Sequence, residues 1–315
     1  MTRGKRSTPI EVRLLREGIV ESIHQVQAVV GDARGRLLSS AGNPEFVSFI
    51  RSSLAPFQAL AVTTTGTMER FNLSDRDLAI ICSSHQGTME QARQVFNILW
   101  RSDIDPLLLQ CPIPAGQTSP LQHNCSGKHA GMLAVCQQCQ FSLQTYLQKN
   151  HPVQKLILDK LADLLKMPGE ELISAQDDCG APTYLMQLGQ MASLYARLAC
   201  GKNLDLERVI RAMISHPPMI AGAGSFDTEV MQLSDGQIVS KSGAGGVQCI
   251  GLVKEGMGLA IKAIDGSEIA AQAVAIHLLK QLGWVNPTIA ENLAEKFMNQ
   301  GTVGRLEVIG ELALL

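Results

Sequence analysis

The sequence predicts a mixed α/β (α+β) fold: one antiparallel sheet built from both ends of the chain, with a helical lobe inserted between them. Three observations carry this. "SIHQVQAVVGDARGRLLSSAG", near the start, alternates apolar and polar residues on either side of a turn. "GQIVSKSGAGGVQCIGLVKEGMGLAIKAIDGS", near the end, is again strand-like and glycine-rich. Between them, apolar residues recur mostly at helical spacing. A single domain is expected over residues 1–315, with a sheet lobe over about 10–65 and 220–285 and a helical lobe over about 85–218.

The elements follow in order. The first hairpin turns near Asp32 to Gly35. Residues 44–65 read as a helix, because Phe46, Phe49, Ile50, Leu54, Phe57 and Leu60 recur at helical spacing, with a kink at Pro56. "LAIICSSHQG" reads as a short apolar strand running into a polar turn, and "TMEQARQVFNILWR" as the helix after it. Segment 107–124 is rich in Pro, Gly, Gln and Ser and reads as a long loop; "KHAGMLAVCQQC" then resumes helical periodicity. Further helices are expected over 152–166, over 184–200 and in "DLERVIRAMISHP", which Pro217 and Pro218 stop. The late strands turn at Glu255-Gly256 and Asp265-Gly266, and a helix from about 268 to 282 follows. A cleft between the two lobes is the natural place for a ligand.

Bulk properties narrow the function classes. With 315 residues and 45% hydrophobic content, the chain can bury a substantial core. Its net charge of −2, with no long run of either sign, argues against nucleic acid as a partner. No apolar stretch approaches the roughly 18 residues of a transmembrane helix, so no membrane association is expected. The N-terminus "MTRGKRSTPIEV" is basic but lacks the apolar core of a signal peptide. Eight scattered cysteines lack the spacing of a disulfide scaffold, so a reducing, cytoplasmic setting is expected. The CxxC of Cys136 and Cys139 reads as two thiols on a helix turn. A homodimer is the default state for such a chain.

Five stretches could carry chemistry. In "RSSLAPFQAL", Ser52 beside Arg51 stands at a helix start, either as a cap or as a nucleophile. In "CSSHQG", Ser84 precedes His85; in "KSGAGG", Lys241 opens a strand followed by small residues. Serine acyl-transfer enzymes of the penicillin-recognising type use SxxK, a second serine and then K[TS]G in that order. The chemistry needs these types, because a serine hydroxyl attacks poorly until a base takes its proton. In "HNCSGKHAGM", a helix N-terminus and Lys128 would both favour a thiolate at Cys125, with His129 alongside. "QDDCGAPTY" sets Asp177 and Cys179 before a turn. Two thiols flanked by Lys, His and Asp could bind zinc, but neither segment has the usual paired-cysteine spacing, and the alternative is small residues packed near a polar cleft.

"NCSGKHAGM", "DDCGAPTY", "FDTEVM" and "KSGAGGVQCIG" together resemble the asparaginase II family, the thermolabile rhizobial-type L-asparaginases, in order from about residue 10 to 285. The first motif is highly specific; the last is not. The resemblance implies a serine-β-lactamase-like fold, also that of glutaminases, and hydrolysis of L-asparagine, a small-molecule substrate, to aspartate and ammonia. It implies two serine–lysine pairs: Ser52 with the residue at 55, and Ser84 with Lys241. It further implies that Cys125, Lys128 and Cys179 surround a zinc ion, and that Arg51, His129 and Asp177 lie near the substrate.

Three positions depart from the pattern. Residue 55, the lysine of SxxK in the family, is Ala55; Gly245 replaces a glutamate; and Ser225 stands where many relatives have arginine. Ala55 deprives Ser52 of its usual base, so reduced amidohydrolase activity is expected. The alternative is a non-catalytic amino-acid-binding protein on the same scaffold.

Overall fold

The computed structural model describes residues 7–315. Residues 1–6, the basic start of the segment read above for a signal peptide, lie outside the described residues. The chain divides into two compact units. A sheet unit holds the chain up to Ser53, Met186–Gly201 and Glu229–Leu315; a helical unit holds Leu54–Leu185 and Lys202–Thr228. Residues 54–65, expected with the sheet, thus belong with the helices, and residues 186–201, expected in the helical lobe, belong with the sheet.

The large sheet of this unit is antiparallel. Strand Ile19–Asp32 pairs with Ile10–Arg16 on one side and Met257–Ala263 on the other, and Val247–Leu252 and Ile238–Gly243 follow in turn. The N-terminal and late glycine-rich strands therefore share one sheet. The first hairpin turns where expected, because the Asp32 carboxylate accepts from the Arg34 and Arg36 N–H groups. The last residues add what periodicity did not show: helix Pro287–Phe297, and strand Gly304–Ile309, which pairs with Ile10–Arg16. Helix Glu268–Gln281 packs against the sheet, and Leu188–Cys200 packs on the face that carries Gly251 and Gly258. Those glycines explain the close approach: a β-carbon at Gly258 would lie 2.1 Å from the Ala192 carbonyl oxygen, and one at Gly251 2.8 Å from that of Tyr195.

The helical unit is built around Ser126–Cys139, which is buried on all sides from Ser126 to Cys136. Asp75–Ile81, Met89–Arg101 and Pro152–Leu165 pack against this core, and Leu204–Ser215 packs against Asp75–Ile81 and Leu60–Thr64. "LAIICSS" is not a strand. Its apolar run is the end of helix Asp75–Ile81, started by a capping box between Ser74 and Asp77. Residues 44–65 also differ from expectation, with a short strand Val47–Phe49 before the helical turns begin at Arg51. The helix expected from 184 begins at Leu188, after strand Pro182–Gln187. Among the described residues, no helix is long and apolar enough to cross a membrane.

Candidate active site

In the sheet unit, Ser52 lies in a single helical turn, Arg51–Leu54. Ser52 is half-buried, while Ser53 is fully buried. Arg51 has φ of 53°, a left-handed backbone that costs energy for a residue with a side chain. The turn is fastened to strand Ile238–Gly243. The Ser53 hydroxyl donates to the Lys241 carbonyl oxygen at 2.9 Å, and the Tyr195 hydroxyl donates to the Ser53 carbonyl oxygen at 2.7 Å. Gly243 permits the approach, since a β-carbon there would lie 2.8 Å from the Ile50 carbonyl oxygen and 3.0 Å from Ser53 Oγ.

Lys241 shares a sheet face with Gly243, because side chains alternate along a strand. Val239 is on that face too, opposite Gly251, where helix Leu188–Cys200 packs. The buried Lys241 side chain therefore lies on the side of the sheet that carries the Ser52 turn and Tyr195. Its amine donates to the Ser242 carbonyl oxygen at 2.7 Å. Gly245, in the turn that follows, has φ of 78°, with nothing within 4 Å of a β-carbon. This turn is thus formed by glycine backbone at the position where the resemblance leads one to expect a glutamate.

In the helical unit, Ala55 opens helix Ala55–Gln58 and is fully buried, with no amine to offer. Ser84 lies in the loop after helix Asp75–Ile81 and is half-buried. Its N–H donates to the Ile220 carbonyl oxygen at 2.8 Å, and the His85 N–H donates to the Asn124 carbonyl oxygen at 3.1 Å. His85 Nδ1 accepts from the Gly87 N–H at 3.0 Å, so Nε2 carries the proton and donates to Ser126 Oγ at 2.9 Å. Ser126 in turn donates to the Leu121 carbonyl oxygen at 2.8 Å. Gln86 reaches the Ser225 hydroxyl at 3.0 Å. Ser225 thus holds the Ser84 loop against residues 221–225.

The two glycines of "SGKHAGM" also have a packing role. A β-carbon at Gly127 would lie 2.0 Å from the Ile80 carbonyl oxygen, and one at Gly131 2.7 Å from the Ile81 side chain. They let the Cys125 helix rest on the helix that ends just before Ser84.

Cys125 and Cys179 come together from different directions. Cys125 stands immediately before helix Ser126–Cys139, and its N–H donates to His123 Nδ1 at 3.1 Å. Cys179 is at the tip of the hairpin between Ser174–Gln176 and Pro182–Gln187, in a turn closed by the Asp177 N–H donating to the Ala181 carbonyl oxygen and the Gly180 N–H donating to that of Asp177. The Cys179 thiol hydrogen-bonds Cys125, which together with burial pushes it up. Lys128 is fully buried against this pair. Burial opposes its charge, but Cys125, Cys179 and Asp177 hold the ammonium above the ordinary lysine range. Burial drives His129 the other way, towards the neutral ring.

His129 Nδ1 meets the Tyr146 hydroxyl at 2.7 Å. Cys179 faces the same ring, yet no hydrogen bond of ordinary geometry reaches the buried Nε2. Cys111, not anticipated from the sequence, is pushed up to about 12 by burial and by the neighbouring Cys125 and Cys179. Among the described residues, none of the eight cysteines is in a disulfide.

The donor set fits the ligands implied for zinc, since two thiols and one amine converge in a buried place. Among the described residues, however, no three His, Cys, Asp or Glu side chains are grouped to hold a metal. Lys128 would therefore have to bind as the neutral amine, giving up the proton its surroundings favour.

A family model described as L-asparaginase II matches residues 12–314. A comparison with curated protein sequences returned no match. Among solved structures, Mglu in its native form is 16% identical, covering 83% of this chain and 65% of that chain, with a TM-score of 0.48. A β-lactamase from Mycobacterium bovis is 11% identical, covering 86% of this chain and 95% of that chain, with a TM-score of 0.46. The chain thus spans less than two thirds of the length of that Mglu chain.

Proposed function

Because the chain belongs to the L-asparaginase II family, we propose that it is a serine–lysine amidohydrolase that converts L-asparagine to aspartate and ammonia. The observation that carries this reading is the fastening of the Ser52 turn to the Lys241 strand, with Ser52 itself left half-buried. In the proposed reaction, Ser52 Oγ attacks the amide carbonyl carbon and its proton passes to the neutral amine of Lys241. Breakage of the C–N bond returns that proton to the leaving nitrogen, which departs as ammonia. Water then attacks the ester, its proton passing to the same amine. Ser52 takes the proton back as the acid leaves. Ser84 is the second candidate nucleophile, and Lys241 its partner as the resemblance implies. Arg51, Asp177 and His129 are the proposed substrate-binding groups, as the resemblance implies.

Cys125, Lys128 and Cys179 are the residues that would hold zinc. When bound, the ion would be largely neutralised by two thiolates and would orient an amide or carboxylate rather than act as a strong Lewis acid. Zinc titration of chelator-treated protein against a chromophoric competitor should give about one site per chain. That site should be lost in Cys125→Ser and Cys179→Ser. Unchanged zinc uptake in both variants would remove these residues from the proposal.

Ammonia release from L-asparagine, with L-glutamine alongside, tests the activity. Slow release that disappears in Ser52→Ala supports the reading. Ala55 favours a second reading, a binder without turnover. Calorimetry would then show saturable L-asparagine binding with no ammonia, unchanged in Ala55→Lys.

A further inference from the structure

We propose that Ser53 and Tyr195 are positioning residues for acyl transfer at Ser52, holding its turn in a left-handed bend against the Lys241 strand. The inference rests on the reading of Ser52 as nucleophile and adds two residues that reading does not use.

The adjacent serines divide the work. Ser53 is fully buried and spends every polar group on the framework. Its N–H donates to the Ile50 carbonyl oxygen at 3.3 Å, its hydroxyl to the Lys241 carbonyl oxygen, and its own carbonyl accepts from Tyr195. Ser52, one residue earlier, is left half-buried. Between Ile50 and Ser52 the backbone passes through Arg51 at φ of 53°, a conformation that persists only where the surroundings over-determine it. The two hydroxyls and the bare Gly243 supply that determination. Tyr195 is among the largest fully buried side chains. A phenylalanine would fill the same space, so the hydroxyl is the part that positions. The tether ends on the main chain of Lys241, so it fixes the serine's turn relative to the strand bearing the amine. Displacing reacting groups by about 1 Å can cost on the order of 100-fold in rate.

The test uses the full chain and the variants Tyr195→Phe, Ser53→Ala and the double variant. Three readouts apply: hydrogen exchange of the peptide over residues 50–54, the rate at which a fluorophosphonate probe labels Ser52, and kcat and KM for ammonia release. Each single variant is expected to speed exchange in that peptide and to slow labelling and kcat roughly tenfold or more. kcat should fall by a larger factor than KM rises, because the reacting serine is displaced directly, whereas Arg51 in the same turn is one of three proposed substrate-binding groups. The double variant should be no slower than the slower single, because both hydroxyls serve one tether. Unchanged exchange in 50–54 overturns the proposal. So does faster exchange with labelling and kcat at the parent's level, which would make the tether merely structural. If the parent itself neither labels at Ser52 nor releases ammonia, the underlying function fails and the inference falls with it. That failure shows in the parent alone, before any variant is compared.

Discussion

His85 follows the candidate nucleophile Ser84 directly, yet it is not built to be its base. Both ring nitrogens are spent, Nδ1 on the Gly87 N–H and Nε2 on Ser126. Burial, with His123 nearby, lowers its pKa from 6.5 to about 4. The folded chain therefore binds this proton less readily than the unfolded chain. The stability linked to the neutral ring is complete above pH 6.5 and is lost as the pH falls towards 4. Over that window the loss is about 3 kcal/mol, of which roughly 2 kcal/mol should be gone by pH 5. His123 and His129, lowered first of all by burial, act with the same sign. Urea unfolding at pH 7 and pH 5 should show this drop, with a smaller one in His85→Gln. Stability that is flat across the interval would contradict the ring's assigned state. This role was not legible in the sequence. "SSHQG" advertises a serine beside a histidine, whereas the hydrogen bonds that disarm the histidine come from Gly87 and from Ser126, forty-one residues away.

The close contact between helices Asp75–Ile81 and Ser126–Cys139 depends on two glycines. Gly127→Ala would drive a β-carbon into the backbone of Ile80, where no side chain can yield. The expected cost is roughly 1–3 kcal/mol, read as a lower urea midpoint with an unchanged slope. An unaltered midpoint would mean that the helices separate freely. The same helices show where periodicity fails. Ser126–Cys139 was legible because its apolar run is long enough to be a helix of several turns. "LAIICSS" reads as a strand because a short, wholly apolar run has no polar face, and strand and helix then look alike. The capping box at Ser74 was the signal that could have decided it. Residues 184–200 read as one helix because strand Pro182–Gln187 runs directly into helix Leu188–Cys200 with no intervening loop. The candidate residues themselves were legible as motifs, but the tether through Ser53 and Tyr195 was not, since nothing local links positions 53, 195 and 241.

For the whole molecule, the consequential feature is an absence at one position. The framework around Ser52 is complete in the sheet unit, with its buried anchor, its strained bend and the lysine strand, while residue 55 carries a methyl group in place of an amine. Ala55 lies three residues beyond Ser52, the spacing at which the resemblance expects the lysine. If the framework is that of a working amidohydrolase, restoring the amine should restore rate without rebuilding anything else. The most direct measurement is steady-state ammonia release from L-asparagine by this chain, by Ala55→Lys, and by Ala55→Lys combined with Ser52→Ala. General-base assistance is typically worth about 10²- to 10⁴-fold. The expected result is slow release by this chain, an increase of that size in kcat for Ala55→Lys, and its loss when Ser52 is removed. No ammonia from either this chain or Ala55→Lys would contradict the amidohydrolase account.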